Sequence, residues 1–436
     1  MAGAREAAIG SRAESAPEAL FAKLSPGPGR SAAEVAEHQR SRIHNAMLDI
    51  VAERGYGGVT VRELAARAGV STRSFYQHYP NLETCFLSVY QVVVRRVLRG
   101  IEAAALGAHD ANRRLRRVVG GLVDEWASDP NAARLMLLDA YAGGLPALKR
   151  ARLAARSIEA RVGECLDYPR DAASLAPLAA ESIVAGILTA ARSCLLDGEG
   201  DLGDLADPLG GWAAAYHELP AEQIEEAKSL SHRVPANGGD DASSGVEERL
   251  TVAPEGDRAL LLTAAARLVA SQRKADLGLE DIASTAGISR RGFEVEFSDP
   301  EACIAAAHRL YADRLIDRVV RAEKLVAAGD ACHPLALLGS ELATDPTLAV
   351  LCFSDVAIAG PRLVRSHQRF LARVACLAAG TTEPAGPTAE ASAGALWGSL
   401  RQRVVMGRAA QAQELARALT SLALLPLQAA SQLSAS

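Results

Sequence analysis

Residues 71–80 read Ser-Thr-Arg-Ser-Phe-Tyr-Gln-His-Tyr-Pro. Wound as a helix, this run puts Phe75 and Tyr79 four residues apart on one apolar side. Thr72, Arg73, Ser74, Tyr76, Gln77 and His78 are then left facing outward. No acidic residue or lysine accompanies them, so the outward face carries hydrogen-bond donors without local partners. Such a face suits a DNA duplex. An arginine pairs bidentately with guanine in the major groove, Thr and Ser reach base edges or phosphates, and Tyr and His donate to phosphate oxygens.

The flanking residues must position that helix. Ile43, Met47, Ile50 and Val51 recur at helical spacing and predict a first helix, with Gly55 as a left-handed cap just past its end. Thr60 followed by Glu63 predicts a capping box for a short second helix over residues 61–68. Gly69 supplies the positive φ of a tight turn, Ser71 caps the third helix and Pro80 closes it. Two short helices joined by Ala-Gly-Val-Ser make a helix-turn-helix. Over 38–82, Arg40, Arg42, Arg54, Arg62, Arg67 and Arg73 stand against Asp49, Glu53 and Glu63. That is a local excess of three positive charges in a chain of formal net charge −5.

This segment resembles the DNA-binding domain of the TetR (tetracycline-repressor-like) family of transcriptional regulators. Gly55-Tyr56, Thr60-Val61-Arg62-Glu63-Leu64-Ala65, Ala68-Gly69-Val70-Ser71, Phe75-Tyr76-Gln77-His78-Tyr79-Pro80 and Glu83 carry the resemblance. It implies a three-helix head, a connecting fourth helix from about Leu82, and a helical ligand-binding and dimerising body. Carried over position by position, the family's contacts fall on Thr60 and Arg62 of the second helix. On the third they fall on Thr72, Arg73, Ser74, Tyr76 and His78. Ser71 and Gln77 complete the candidate DNA-binding set. One departure is Leu82, where the family commonly places a basic residue on a phosphate.

The segment recurs. Residues 43–83 align without a gap on 261–301, 218 positions further on, with identities at Ala46, Val51, Ala52, Ala65, Ala68, Gly69, Ser71, Arg73, Phe75 and Glu83. Ser128-Asp129-Pro130 returns as Thr344-Asp345-Pro346, 216 positions on. The pattern reads as a duplication with a degenerate second head. There Thr60 becomes Gly278, Arg62 becomes Glu280, Tyr76 becomes Glu294 and His78 becomes Glu296, while Phe293 and Phe297 keep the inward side. Acidic side chains are repelled by phosphates, although a glutamate can also accept from cytosine N4. Arg290 and Arg291 remain as candidate secondary DNA contacts.

The 436 residues suffice for two to four domains, and 49% hydrophobic with 23% charged residues excludes wholesale disorder. Aromatics at 4% and abundant alanine favour an all-α fold of two tandem helical units, each a head and a body. The expected division is a flexible tail (1–35), a first helix-turn-helix domain (36–82), a first body (83–220), a linker (221–256), a second helix-turn-helix domain (257–303), a second body (304–428) and a flexible C-terminus (429–436). Residues 220–230 predict a short helix before the linker's Pro/Gly/Ser-rich core. The last two helices of each half, 178–196 with 205–219 and 389–406 with 408–425, are the expected surface of either an intrachain pseudo-dimer or a homodimer of fused chains.

Seven scattered cysteines with no C-x-x-C read as free thiols in a reducing compartment. No signal-peptide pattern and no apolar run long enough to span a bilayer is evident, so a soluble cytoplasmic protein without a membrane partner is expected. The Walker, zinc-protease and nucleophile-elbow motifs are missing, and Gly198–Gly203 fits G-x-G-x-x-G only by letter, so no enzyme, cofactor or metal is expected. The expected partners are double-stranded operator DNA and a small apolar effector in the bodies. Trp126, Leu135, Met136, Leu138, Tyr141, Leu351, Cys352, Phe353 and Trp397 are either its walls or ordinary core. Asp139 and Asp355 recur in register inside apolar helices, where they either orient a ligand or cap a neighbouring helix. The resemblance implies repression as the usual outcome. The alternative is a helical protein-interaction regulator that has abandoned DNA.

Overall fold

Ser31 starts the first helix with a reciprocal cap: its Oγ accepts from the Glu34 backbone N, and Glu34 Oε2 accepts from the Ser31 N at 2.7 Å. Helix α1 (Ala32–Arg54) thus begins inside the segment expected to be a tail. The Ser-x-x-Glu signal prevails over the Ala/Gly/Pro-rich composition around it. The computed structural model describes residues 31–108, 110–168, 173–198, 200–217, 256–272, 277–325, 333–344, 361–381, 383, 385–405 and 419–427. The tail before Ser31, the short helix expected at 220–230, most of the linker, Leu351, Cys352, Phe353, Asp355, and the C-terminal segment 429–436 lie outside them.

The first head continues with α2 (Val61–Ala68) and α3 (Thr72–His78), and α4 (Leu82–Ala105) leads away from it. Two local features differ from expectation. Gly55 does have positive φ, but φ 75 with ψ 167 lies outside the left-handed helical region. Thr60 Oγ1 accepts from the Glu63 backbone N, but the Glu63 carboxylate turns away to pair with Arg54. Half of the capping box is therefore exchanged for an ion pair tying α2 to the end of α1.

The first body comprises α5 (Ala111–Ser128), α6 (Pro130–Leu137), α7 (Gly144–Gly163), α8 (Ala176–Asp197) and α9 (Ala206–Ala214). Asp129 separates α5 from α6: its Oδ1 caps α6 by accepting from the Ala132 N at 3.0 Å, with Pro130 in the first turn. Its other oxygen accepts from Arg96 of α4 at 3.0 Å. Trp126, Leu135, Met136 and Leu138 are buried in the core.

Beyond residue 256 the order resumes: α10 (Asp257–Gln272), α11 (Leu279–Ala286), α12 (Arg290–Glu296), α13 (Pro300–Leu325), α14 (Pro334–Thr344), α15 (Pro361–Ala379) and α16 (Pro387–Val405), with residues 419–427 also helical. The caps of the first head return. Gly69 at φ 62 answers to Gly287 at φ 69, and Ser71 Oγ accepting from the Ser74 N at 3.0 Å answers to Ser289 Oγ accepting from the Gly292 N at 3.2 Å. No strand occurs among the described residues, and the fold is all-α.

Helices α8 and α16 pack against each other over most of their lengths and join the two halves of the chain. Ser182 Oγ meets Ser399 Oγ at 3.1 Å, Ser193 Oγ donates to Glu390 Oε1 at 2.7 Å, and Trp212 Nε1 of α9 donates to Ser392 Oγ at 2.9 Å. Helix α8, at 22 residues, is long and apolar enough to cross a membrane, contrary to the sequence expectation that no run qualifies. Most of it is buried inside the protein, which accounts for its composition as that of a core helix. The described cysteines, Cys85, Cys165, Cys194, Cys303 and Cys376, are free thiols.

The seam depends on small residues. A Cβ on Gly186 would lie 2.5 Å from both the Ala391 carbonyl oxygen and the Trp212 ring, and one on Gly394 would collide with Thr189. Gly186→Ala should therefore cost about 1–3 kcal/mol through overpacking, read as a lower urea midpoint. Gly120→Ala on α5 meets nothing within 4 Å and should be neutral or slightly stabilising.

Candidate nucleic-acid interface

Three contacts hold the helix-turn-helix on α1. Phe75 is fully buried, the Tyr79 hydroxyl meets His44 Nε2 at 2.5 Å, and Arg42 Nη1 donates to the Gly69 carbonyl at 3.3 Å. Arg67 pairs with Glu53 from the other side. With Phe75 and Tyr79 inward, Thr72, Arg73, Tyr76 and Gln77 are exposed, Tyr76 to 57%. Thr60, Arg62 and Ser71 are exposed beside them. The Thr60 and Ser71 oxygens accept cap hydrogen bonds, which leaves their hydroxyl protons available to an outside acceptor.

Ser74 and His78 are placed differently from the rest. Both are half-buried and both donate to Gln39 Oε1 of α1, at 3.0 Å from Ser74 Oγ and 2.9 Å from His78 Nε2. Burial first, then the nearby Arg40, push the His78 pKa down, so the ring favours its neutral form. Gln39 is a residue that reading the motif misses. Its signal is helical phase: it lies four residues before Ile43, on the same stripe that packs the head.

The structure also sorts the local positive charge. Arg40 pairs with Glu37, Arg54 with Glu63 and Arg67 with Glu53. Arg42 is engaged with a backbone carbonyl. Arg62 and Arg73 are exposed and have no ion-pair partner among the described residues. The charge excess over 38–82 is thus concentrated on the outward face of α2 and α3.

The second head arranges its charges to the opposite effect. Glu280, which stands where Arg62 does, accepts from Arg290 at 3.4 Å, and Glu294, where Tyr76 stands, accepts from it at 2.9 Å. Glu296 takes Arg258 at 3.4 Å, and the Arg258 guanidinium lies 4.4 Å from the Phe297 ring centre. Val295 is 77% exposed where the first head presents Gln77. Arg291 alone of the two candidate arginines is exposed and without an ion-pair partner among the described residues.

Residues 44–89 match the family model described as bacterial regulatory proteins, tetR family. Over 105 residues the chain is 30% identical to the HTH-type transcriptional activator FasR of Mycolicibacterium smegmatis; the match takes in 24% of this chain and 48% of that protein. The chain therefore spans about half the length of this curated relative. Similar solved structures include FadR from Bacillus subtilis in complex with stearoyl-CoA, at 18% identity and a TM-score of 0.36, over 40% of this chain and 97% of that one. The fatty acid degradation regulator FadR from Bacillus halodurans matches at 20% identity and a TM-score of 0.35, over 40% of this chain and 96% of that one.

Burial holds the His44 pKa down to about 4. The unfolded chain carries an ordinary histidine near 6.5, so between about 6.5 and about 4 the folded head binds fewer protons. Stability from this site is present above that window and falls as pH drops through it. His44→Gln should remove this component, so the difference in unfolding free energy between wild type and variant, followed by urea denaturation, should shrink by about 2 kcal/mol from pH 7 to pH 5.

Proposed function

We propose that the chain regulates transcription in the cytoplasm by binding operator DNA in the major groove, mainly through α3 of the first head. The observation that carries the reading is the outward face of Thr72, Arg73, Tyr76 and Gln77 with Arg62 beside it. Both of its arginines lack an ion-pair partner among the described residues. The tetR-family match over 44–89 supports it. Thr60, Ser71, Ser74 and His78 complete the contact set, the last two oriented through Gln39. Arg291 is a secondary contact, and Arg290 is held back by Glu280 and Glu294. The reading assigns no catalytic role.

The two halves act as an intrachain pseudo-dimer across α8 and α16, each half contributing one head. Regulators with two recognition helices place them about one turn of DNA apart, ~34–36 Å. Here the partner half is covalently attached, so the operator need not be symmetric. A cavity of about 180 Å³ lies across the same seam, with Leu148, Val184, Leu188, Leu371 and Trp397 on its apolar side and Arg152, Arg156, Glu159, Glu181, Arg192 and Arg401 also in its wall. It is the proposed seat of a small apolar effector, which there would bear on the packing that relates the two heads. The bound protein represses or activates according to where its operator lies relative to the promoter; the relative FasR is named an activator.

The test begins with DNA selected by the intact protein from a random pool. Arg73→Ala should then weaken binding at least tenfold, in line with about 1–3 kcal/mol for a base-reading arginine, and Arg291→Ala less than threefold. Equal losses would remove the asymmetry, and absence of any salt-sensitive selected sequence would remove the DNA reading. Light scattering should give one 45.6 kDa chain per operator; a mass twice that points to the homodimer instead.

A further inference from the structure

At the foot of the second head, α13 and α15 flank an open cavity of about 360 Å³, and arginines make up half of its lining residues. Arg309 comes from α13, and Arg362, Arg365 and Arg369 from successive turns of one face of α15. Ser298 and Ser366 lie among them, and Ala302 and Ala305 keep the α13 wall shallow. The two carboxylates at this junction are both committed to Arg362. Asp299 Oδ2 accepts from its Nη1 at 2.7 Å, and Glu301 Oε1 accepts from its backbone N at 2.7 Å. One turn further on, Arg373 is paired with Asp313. Arg309, Arg365 and Arg369 are exposed and have no ion-pair partner among the described residues.

Like charges spaced three and four residues apart on one helix face destabilise it, and more so when a second helix brings a further cation to the same space. An arrangement of this kind is relieved by an anion. Four guanidinium forks offer more donors than a lone carboxylate has acceptor oxygens, whereas a phosphate or diphosphate presents enough oxygens for bidentate pairing with several of them. The positions 218 or 216 residues earlier in the chain are Gln91, Pro146, Lys149 and Leu153. Only Lys149 among them is charged, so the cluster of four arginines is particular to the second half and is not demanded by the helix pairing.

We propose that this cavity is a binding site for the phosphate or diphosphate group of a small molecule, with Arg309, Arg365 and Arg369 as its principal ligands and Arg362 at its edge. The site is independent of the DNA reading of the first head, since it shares no residue with α2 or α3. It gives the half with the weaker nucleic-acid face a separate task, sensing a phosphorylated metabolite next to its own head.

The test uses the full chain and pyrophosphate, with ADP as an organic diphosphate and acetate at matched ionic strength as the control. Calorimetry should show saturable pyrophosphate and ADP binding and none of acetate, with a rise in melting temperature on pyrophosphate addition. Arg365→Gln with Arg369→Gln should weaken pyrophosphate binding at least tenfold, and Arg309→Gln alone by several-fold. Circular dichroism melting without ligand establishes that each variant is folded, and exposed positions make retention of fold the expected result. No saturable binding, or binding unchanged in both folded variants, overturns the site. Loss of operator affinity in the double variant, with no pyrophosphate binding to wild type, also overturns it and reassigns these arginines to the duplex backbone.

Discussion

The outward chemistry of the first head depends on which way α3 is rolled, and that roll is set by two aromatic rings. Phe75 fills the centre of the three-helix head and Tyr79 closes it against His44. Burying two large rings fixes the remaining residues of a seven-residue helix too short to be stable alone. Rotating α3 by one residue would put Tyr76 inside and Arg73 at the edge. The contact between Tyr79 and His44 constrains this further, because rolling α3 would carry the Tyr79 hydroxyl away from the buried imidazole.

The same inward framework supports two different exteriors. In the second head Phe293 and Phe297 repeat the anchoring, and the two glycine-centred turns are nearly superimposable in their φ angles. Outside that frame the heads diverge through charge. A carboxylate at 280 in place of an arginine at 62 does more than reverse one charge, because it captures Arg290 together with Glu294. Packing tolerates such changes because exposed positions contribute little to stability, so a surface can be rewritten while its scaffold persists.

The seam between the halves depends on close approach of two helices at small residues. Glycines at 186, 394 and 398 let α8 and α16 approach until serine hydroxyls and a tryptophan N–H hydrogen-bond across the contact. Buried polar groups of this kind define register, since sliding either helix leaves each of them unpaired. The cavity across the seam is bounded by helices from both sides of it, so its shape depends on that register.

The sequence by itself determined the elements of the head: the apolar stripe of α1, the Ser71 cap, the positive-φ glycine at 69, the inward pair Phe75 and Tyr79, and the recurrence of all of these 218 residues later. These are local properties, written in spacing and residue type, and no distant partner is needed to express them. Tertiary structure decided which cations are spent and which are left. Arg54 and Arg67 count the same as Arg62 and Arg73 in any sum over the sequence, but only folding brings Glu63 and Glu53 to the first two. It likewise brought Gln39 to Ser74 and His78, gathered four arginines of α13 and α15 around one cavity, and buried an apolar helix long enough for a membrane against its counterpart from the other half. Each of these joins residues of different helices, whose proximity is a consequence of packing and is not given by the spacing within either helix alone.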